Sequence, residues 1–151
     1  MNFVRDEVTV SVPASSANLG PGFDALGLAL ELRDEVRVRA TTGATHVTVE
    51  GEGAGKVPED ETNMVVQALR AGLESVGASQ IGIEMHCVNR VPHGRGLGSS
   101  SAALVSGLAA AGALLEPGVL DTEAIFQLAV QMEGHPDNAA PAVYGLSLIH
   151  I

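Results

Sequence analysis

Three short segments of this 151-residue chain gather residue types that could do chemistry together. The most informative is Pro92-His93-Gly94-Arg95-Gly96-Leu97-Gly98-Ser99-Ser100-Ser101-Ala102-Ala103, a glycine-rich turn leading into a run of small residues. Its three glycines let the backbone approach an anion without Cβ hindrance, and the helix that follows offers free N–H groups at the positive end of its dipole. These residues suit a phosphate cradle. No Lys-Ser/Thr pair follows the glycines as in a Walker loop, so positive charge would have to come from magnesium, the dipole and Arg95. The hydroxyls of Ser99, Ser100 and Ser101 can cap the helix, coordinate a metal or contact phosphate, and an ordinary capped helix after a tight turn fits the same residues.

The second segment, Pro13-Ala14-Ser15-Ser16-Ala17-Asn18-Leu19-Gly20-Pro21-Gly22-Phe23-Asp24, sets polar groups on a constrained loop. Asn18 can donate and accept while Asp24 accepts, which suits an amino or hydroxyl group; an Asx-rich turn is the plain alternative. The third, Glu133-Gly134-His135-Pro136-Asp137-Asn138-Ala139-Ala140-Pro141, packs two carboxylates, an imidazole and an amide together. Glu133 is a hard oxygen donor suited to magnesium, and His135 could recognise a substrate or move a proton. A helix C-terminus followed by an Asp-Asn turn accounts for the same residues. The other histidines, His46, His86 and His93, have no metal-site spacing.

Composition narrows the function classes. Hydrophobic residues make up 46% of the chain and charged residues 17%, enough apolar material for one globular core. The formal net charge is −10, from 18 acidic against 8 basic residues, and Lys56 is the single lysine. Such a surface repels nucleic acid and anionic lipid, so neither is an expected partner. A small anion still fits where magnesium, arginines or backbone N–H groups reverse the sign locally. Cys87 is the only cysteine and lies in an apolar stretch, which suits a small buried hydrophobe and a reducing, cytoplasmic location. No apolar signal core opens the chain, and Ala102 to Leu115 is too short to span a bilayer.

The elements that must position these segments follow from periodicity and caps. Val8 to Val12 reads as a strand ending at Pro13, Leu26 to Leu32 and Glu35 to Ala40 as two more, and His46 to Glu50 as a fourth, with antiparallel pairing expected among them. Thr62 or Asn63 caps a helix to about Val76, stopped by Gly77. Ile81 to Val88 returns to strand, a helix follows from about Ser99 to Leu115, and Asp121 caps another that ends near Gly134. Interleaved strands and helices with an antiparallel group at the front give an α+β domain.

In this order the strings PASSANLGPGFDALGLAL, PHGRGLGSSSAA and EGHPDNAAPAVYG resemble homoserine kinases of the GHMP superfamily, from about Thr9 to Gly145. The middle string is shared across the superfamily, whereas the SANLGPGFD core is more specific to the homoserine branch. The resemblance implies a GHMP kinase N-terminal domain of the ribosomal protein S5 domain 2-like type over residues 1–145, cut off before a C-terminal domain. It implies ATP and Mg2+ as cofactors and phosphorylation of the L-homoserine hydroxyl to O-phospho-L-homoserine, on the route to threonine. Asn18, Asp24 and His135 would bind the amino acid, with His135 and Asn138 at the reaction centre. Pro92 to Ser101 would wrap the ATP phosphates, Ser100 and Glu133 would hold magnesium, and Asn63 would contact the nucleoside. A homodimer of the full-length protein is compatible with this reading. Another GHMP small-molecule kinase, or a nucleotide-binding module without catalysis, are the alternatives. The 151 residues alone are expected to be inactive, because in the family the cleft lies between two domains.

Residues 146–151, Leu-Ser-Leu-Ile-His-Ile, match what a commonly used transposon sequencing adapter encodes in one reading frame. They are expected to be a non-native tail, which would make His150 meaningless as a site.

Overall fold

The computed structural model describes residues 3–16, 28–91, 99–134, 142–143 and 147–150. Within them the order is β1 (Glu7–Ser16), β2 (Leu28–Thr41), β3 (His46–Gly51), α1 (Met64–Ser75), β4 (Gly82–Asn89), α2 (Ser99–Leu114), α3 (Thr122–Glu133) and β5 (Ser147–His150). The strands form one sheet in the order β3-β4-β2-β1-β5, an α+β arrangement as the sequence implies.

The alternation of valines sets the register. Val8 lies opposite Val38 and Val10 opposite Val36 in the antiparallel β1–β2 pair, while Val36 meets Cys87 and Val38 meets Met85 in the antiparallel β2–β4 pair. All six are buried at 2% exposure or less, so one face of the sheet is continuous core. That face receives Val65, Val66, Leu69 and Leu73 from α1 and most of α2. Twelve residues of the sixteen in α2 are buried, as expected for a helix apolar on all sides, and its small side chains let α1 pass close by.

Three expectations change. β1 runs past Pro13 to Ser16, with a register irregularity between Pro13 and Ser15 that absorbs the missing N–H of proline. Leu26 to Leu32 and Glu35 to Ala40 do not form separate strands; β2 runs unbroken from Leu28 to Thr41. β3 does not pair with its predecessor but runs parallel to β4, with Val47 opposite Met85, because α1 carries the chain back across the sheet between them. The caps follow expectation: Asn63 and Asp121 accept from Val65 N and Ala124 N, and Gly134 ends α3 at φ 92°. Among the described residues no helix is long and apolar enough to cross a membrane. Ser147–His150 pairs antiparallel with β1, Leu148 opposite Val10.

Candidate functional site

A cavity of about 300 Å3 opens where the N-termini of α1 and α2 approach the ends of β3 and β4. Val57, Pro58, Thr62 and Asn63 wall one side, Ser99, Ser100 and Ala103 another, and Asp34, Val36, Cys87 and Asn89 form the floor.

Asn63 is the hinge of the first wall. Its Oδ1 accepts from Val65 N at 2.8 Å and caps α1, while its Nδ2 donates to the Pro58 carbonyl at 2.8 Å, leaving the residue 5% exposed. One short amide therefore both starts the helix and holds the loop before it. Thr62 donates from its N–H and its hydroxyl to Asp60 Oδ1, which holds the Asp60 carboxyl below its ordinary value.

The second wall begins α2. Ser100 Oγ donates to Met64 Sδ at 3.8 Å, bridging the two helix starts at the cavity mouth. Ser101 is fully buried and its hydroxyl donates to Glu133 Oε2 at the last residue of α3. The sequence expectation placed Ser100 with Glu133; the hydroxyl that meets Glu133 in this structure is that of Ser101. Neither α1 nor α2 has an acidic residue in its first turn, whereas α3 has Glu123 there after its Asp121 cap. In a chain of net charge −10, α1 and α2 thus bring no carboxylate of their own first turns to the cavity, and the acidic side chain that reaches the first turn of α2 is Glu133 of α3, through Ser101.

Asp34 was not foreseen. It is 5% exposed and its Oδ1 accepts from Arg90 N at 2.7 Å and Val91 N at 2.8 Å, joining β2 to the exit of β4 just before the glycine-rich segment. The sequence signal was parity: Asp34 lies opposite Val12 and two residues before Val36, on the inward face of the sheet. Burial, and next the Asp34 charge, push the neighbouring Cys87 thiol up to about 12. At 1% exposure Cys87 is a packing residue, as expected.

Of the candidate residues, Asn63, Ser99 and Ser100 share the cavity and Ser101 meets Glu133. Asn18, Asp24, Pro92 to Gly98, His135 and Asn138 lie outside the described residues. Among the described residues no group of three or more His, Cys, Asp and Glu side chains could hold a metal by itself. The Glu133 carboxylate and the Ser101 hydroxyl are hard oxygen donors, the ligand type that magnesium takes.

The family model for the GHMP kinases N terminal domain matches residues 63–146, more than half of the chain. The chain belongs to the GHMP kinases. The matched span begins at the Asn63 cap and runs through α1, β4, α2 and α3, so both helix starts at the cavity fall within it, while the loop residues Val57, Pro58 and Thr62 precede it. Over 146 residues the chain is 52% identical to a homoserine kinase of Corynebacterium urealyticum, covering 97% of this chain and 47% of that protein. It is 57% identical over 142 residues to a homoserine kinase of Leifsonia xyli subsp. xyli, covering 91% and 43%. The solved homoserine kinase of Cytophaga hutchinsonii superposes with a TM-score of 0.79 at 30% identity, across 100% of this chain and 53% of that one. The GHMP domain described here is thus homologous to homoserine kinases, and the chain spans about half the length of these relatives.

Proposed function

We propose that the full-length protein is a homoserine kinase, transferring the γ-phosphoryl group of ATP to the homoserine hydroxyl. The observation that carries this reading is the cavity between the N-termini of α1 and α2, with the Ser101–Glu133 pair beside it. Val36, Val57, Pro58, Val65 and Ala103 in its lining suit a nucleoside base, and the start of α2 beside them suits a phosphate. The names of the relatives supply the acceptor.

Phosphoryl transfer depends mainly on positioning and charge neutralisation. Asn63 and the loop it holds would orient the nucleoside, and the N–H groups of α2 with Pro92 to Ser101 would cradle the phosphates. Glu133, Ser100 and the neighbouring Ser101 would hold magnesium, which when bound neutralises phosphate charge. Asn18, Asp24 and His135 would hold homoserine, with Asn138 shaping the reaction centre. The homoserine oxygen forms the new bond to the γ-phosphorus as the bond to the β–γ bridging oxygen breaks; ADP leaves and the hydroxyl proton passes to solvent. Residues 1–145 would act as the nucleotide half of this enzyme, inactive without a second half, in a cytoplasmic protein.

The test is ADP release by the purified full-length protein with magnesium-ATP and a panel of alcohols that includes homoserine, threonine, mevalonate and sugars. Homoserine should be preferred by a wide margin. Preference for another alcohol would assign a different GHMP kinase, and tight ATP binding without turnover would make the protein a nucleotide-binding module.

A further inference from the structure

We propose that Arg70 is a positioning residue for nucleotide binding: through Glu61 it clamps the loop that walls the cavity. The inference rests on the nucleotide reading of that cavity. Residues 52–62 contain turns but no helix or strand and are mostly exposed, yet they supply Val57, Pro58 and Thr62 to the cavity. A wall without a core of its own must be held from outside. At its near end the loop is tied to β4, where Glu52 N donates to the Asn89 carbonyl and Asn89 Nδ2 to the Glu52 carbonyl. At its far end Asn63 holds Pro58, and Glu61 meets Arg70.

Arg70 stands on α1 two turns beyond the Asn63 cap. Its Nε donates to Glu61 Oε1 at 3.0 Å and Nη2 to Glu61 Oε2 at 2.8 Å, a bidentate fork. Nη1 donates to the Ile81 carbonyl at 2.6 Å and to Gln80 Oε1 at 3.0 Å, and Nη2 also reaches Thr45 Oγ1 at 3.2 Å. Every N–H of the guanidinium is thereby used, which fixes its plane relative to the approaches of both β3 and β4. Thr45 Oγ1 closes the circuit by donating to Glu61 Oε2. The Arg70 hydrogen bond, then that of Thr45, draws the Glu61 carboxyl down to about 2. The Arg70 side chain is 23% exposed and that of Glu61 53%, so the pair adds little as a bare surface ion pair. Its consequence is geometric: Glu61 is fixed two residues before Asn63, and the wall between them and Pro58 follows.

The experiment compares Arg70→Met, Arg70→Lys and Glu61→Gln with wild type in the full-length protein. Arg70→Met and Glu61→Gln should raise the KM for ATP by roughly three- to tenfold, with kcat and the KM for homoserine near wild type. Arg70→Lys keeps the charge but not the fork and should recover only part of the loss. If Arg70→Met does not fold, the near-isosteric Glu61→Gln carries the comparison. Hydrogen exchange gives a second reading that needs no catalysis: amides of Thr62, Asn63 and Val65 should exchange faster in Glu61→Gln, with α2 amides unchanged. Unaltered exchange at these amides would overturn the clamp. Faster exchange with an unchanged KM for ATP would overturn its role in nucleotide binding, as would KM values for ATP and homoserine rising together with a falling kcat. A wild-type protein that neither binds nor uses ATP would instead remove the reading of the cavity, while the exchange comparison still judged the clamp.

Discussion

Replacing Gly107 by alanine tests whether the cavity depends on the close crossing of α1 and α2. A Cβ built at Gly107 would lie 2.3 Å from the Val65 carbonyl oxygen, 2.6 Å from Ala68 Cβ and 2.9 Å from Leu69 N. Two of these atoms are backbone, so no side-chain rotation relieves the clash, and the helices must separate by about 1 Å to restore van der Waals distance. Overpacking of this kind costs about 1–3 kcal/mol, and contact with backbone puts it at the upper end. Alanine regains about 1 kcal/mol of helix propensity over glycine, leaving a net loss of about 2 kcal/mol. For a full-length protein about twice as long as this chain, that corresponds to a melting midpoint lower by roughly 2–4 °C. Gly72→Ala provides the scale, because its nearest neighbours are Ala111 Cβ at 2.9 Å and Leu120 Cδ2 at 3.3 Å, both side chains, and it should lose clearly less. Val65 also lines the cavity, so a displaced α1 should weaken ATP binding in Gly107→Ala beyond its effect on stability. Thermal denaturation of the full-length variants, with and without magnesium-ATP, measures both. A Gly107→Ala midpoint at or above wild type would refute the reasoning, since helix propensity would then outweigh the crossing.

Ser101→Ala should lower kcat by roughly tenfold or more with a smaller change in the KM for ATP, because it removes the donor on the Glu133 carboxylate beside the proposed metal position; steady-state kinetics alongside Ser100→Ala will rank the two hydroxyls, and unchanged turnover would remove Ser101 from the site. Cys87 should resist a thiol-specific reagent until the protein unfolds. Its thiol ordinarily ionises at 9.0 and here at about 12, so folding stability should fall as pH rises from 9.0 toward 12, because the unfolded chain ionises there while the folded one does not; a stability flat across that window would contradict the burial. Residues 146–151 should prove to be adapter sequence when the DNA is read again, and genuine genomic sequence through codon 151 would refute this. The pairing of Ser147–His150 with β1 does not bear on their origin, since it uses main-chain groups that any strand-competent segment offers.

The sheet's inward face was legible because valines at every second position have one structural solution, and the starts of α1 and α3 were legible because Asn63 and Asp121 are caps with local geometry. The break expected between Leu32 and Glu35 failed for a non-local reason. Arg33 and Asp34 interrupt the apolar pattern, but Asp34 is compensated by N–H groups of Arg90 and Val91, more than fifty residues away, and Arg33 turns to the other face to donate from Nε to Ser11 Oγ at 2.7 Å. Strand partners are likewise set by the crossover through α1, so β3 beside β4 could not be read from either segment. The same division runs through the site. Ser99, Ser100 and Asn63 were found as helix starts, while Asp34, Met64 and Asn89 join the cavity only once distant elements meet.

An acidic chain with a single lysine reaches a reading of anion binding because of how topology distributes partial charge. β3 and β4 are the one parallel pair among the described strands, and the cavity lies outside their carboxyl ends, the usual place for ligands in sheets with parallel connections. A parallel pair requires a crossover helix, which brings the start of α1 to that end; β4 then feeds α2, whose start arrives there too. Two positive helix ends therefore converge without any basic side chain being needed. Of the carboxylates near this space, Asp34 Oδ1 is engaged by two backbone N–H groups, and Glu133 accepts from Ser101 in the first turn of α2. Acidic side chains are abundant elsewhere, including the first turn of α3, but absent from the first turns of α1 and α2. Placing Glu at Met64, in the first turn of α1, would cancel one of these ends at the cavity mouth, where the native side chain instead accepts from Ser100. The acidity of the surface and the proposed anion binding at the site are thus compatible, because the first resides in side chains and the second would draw on the backbone.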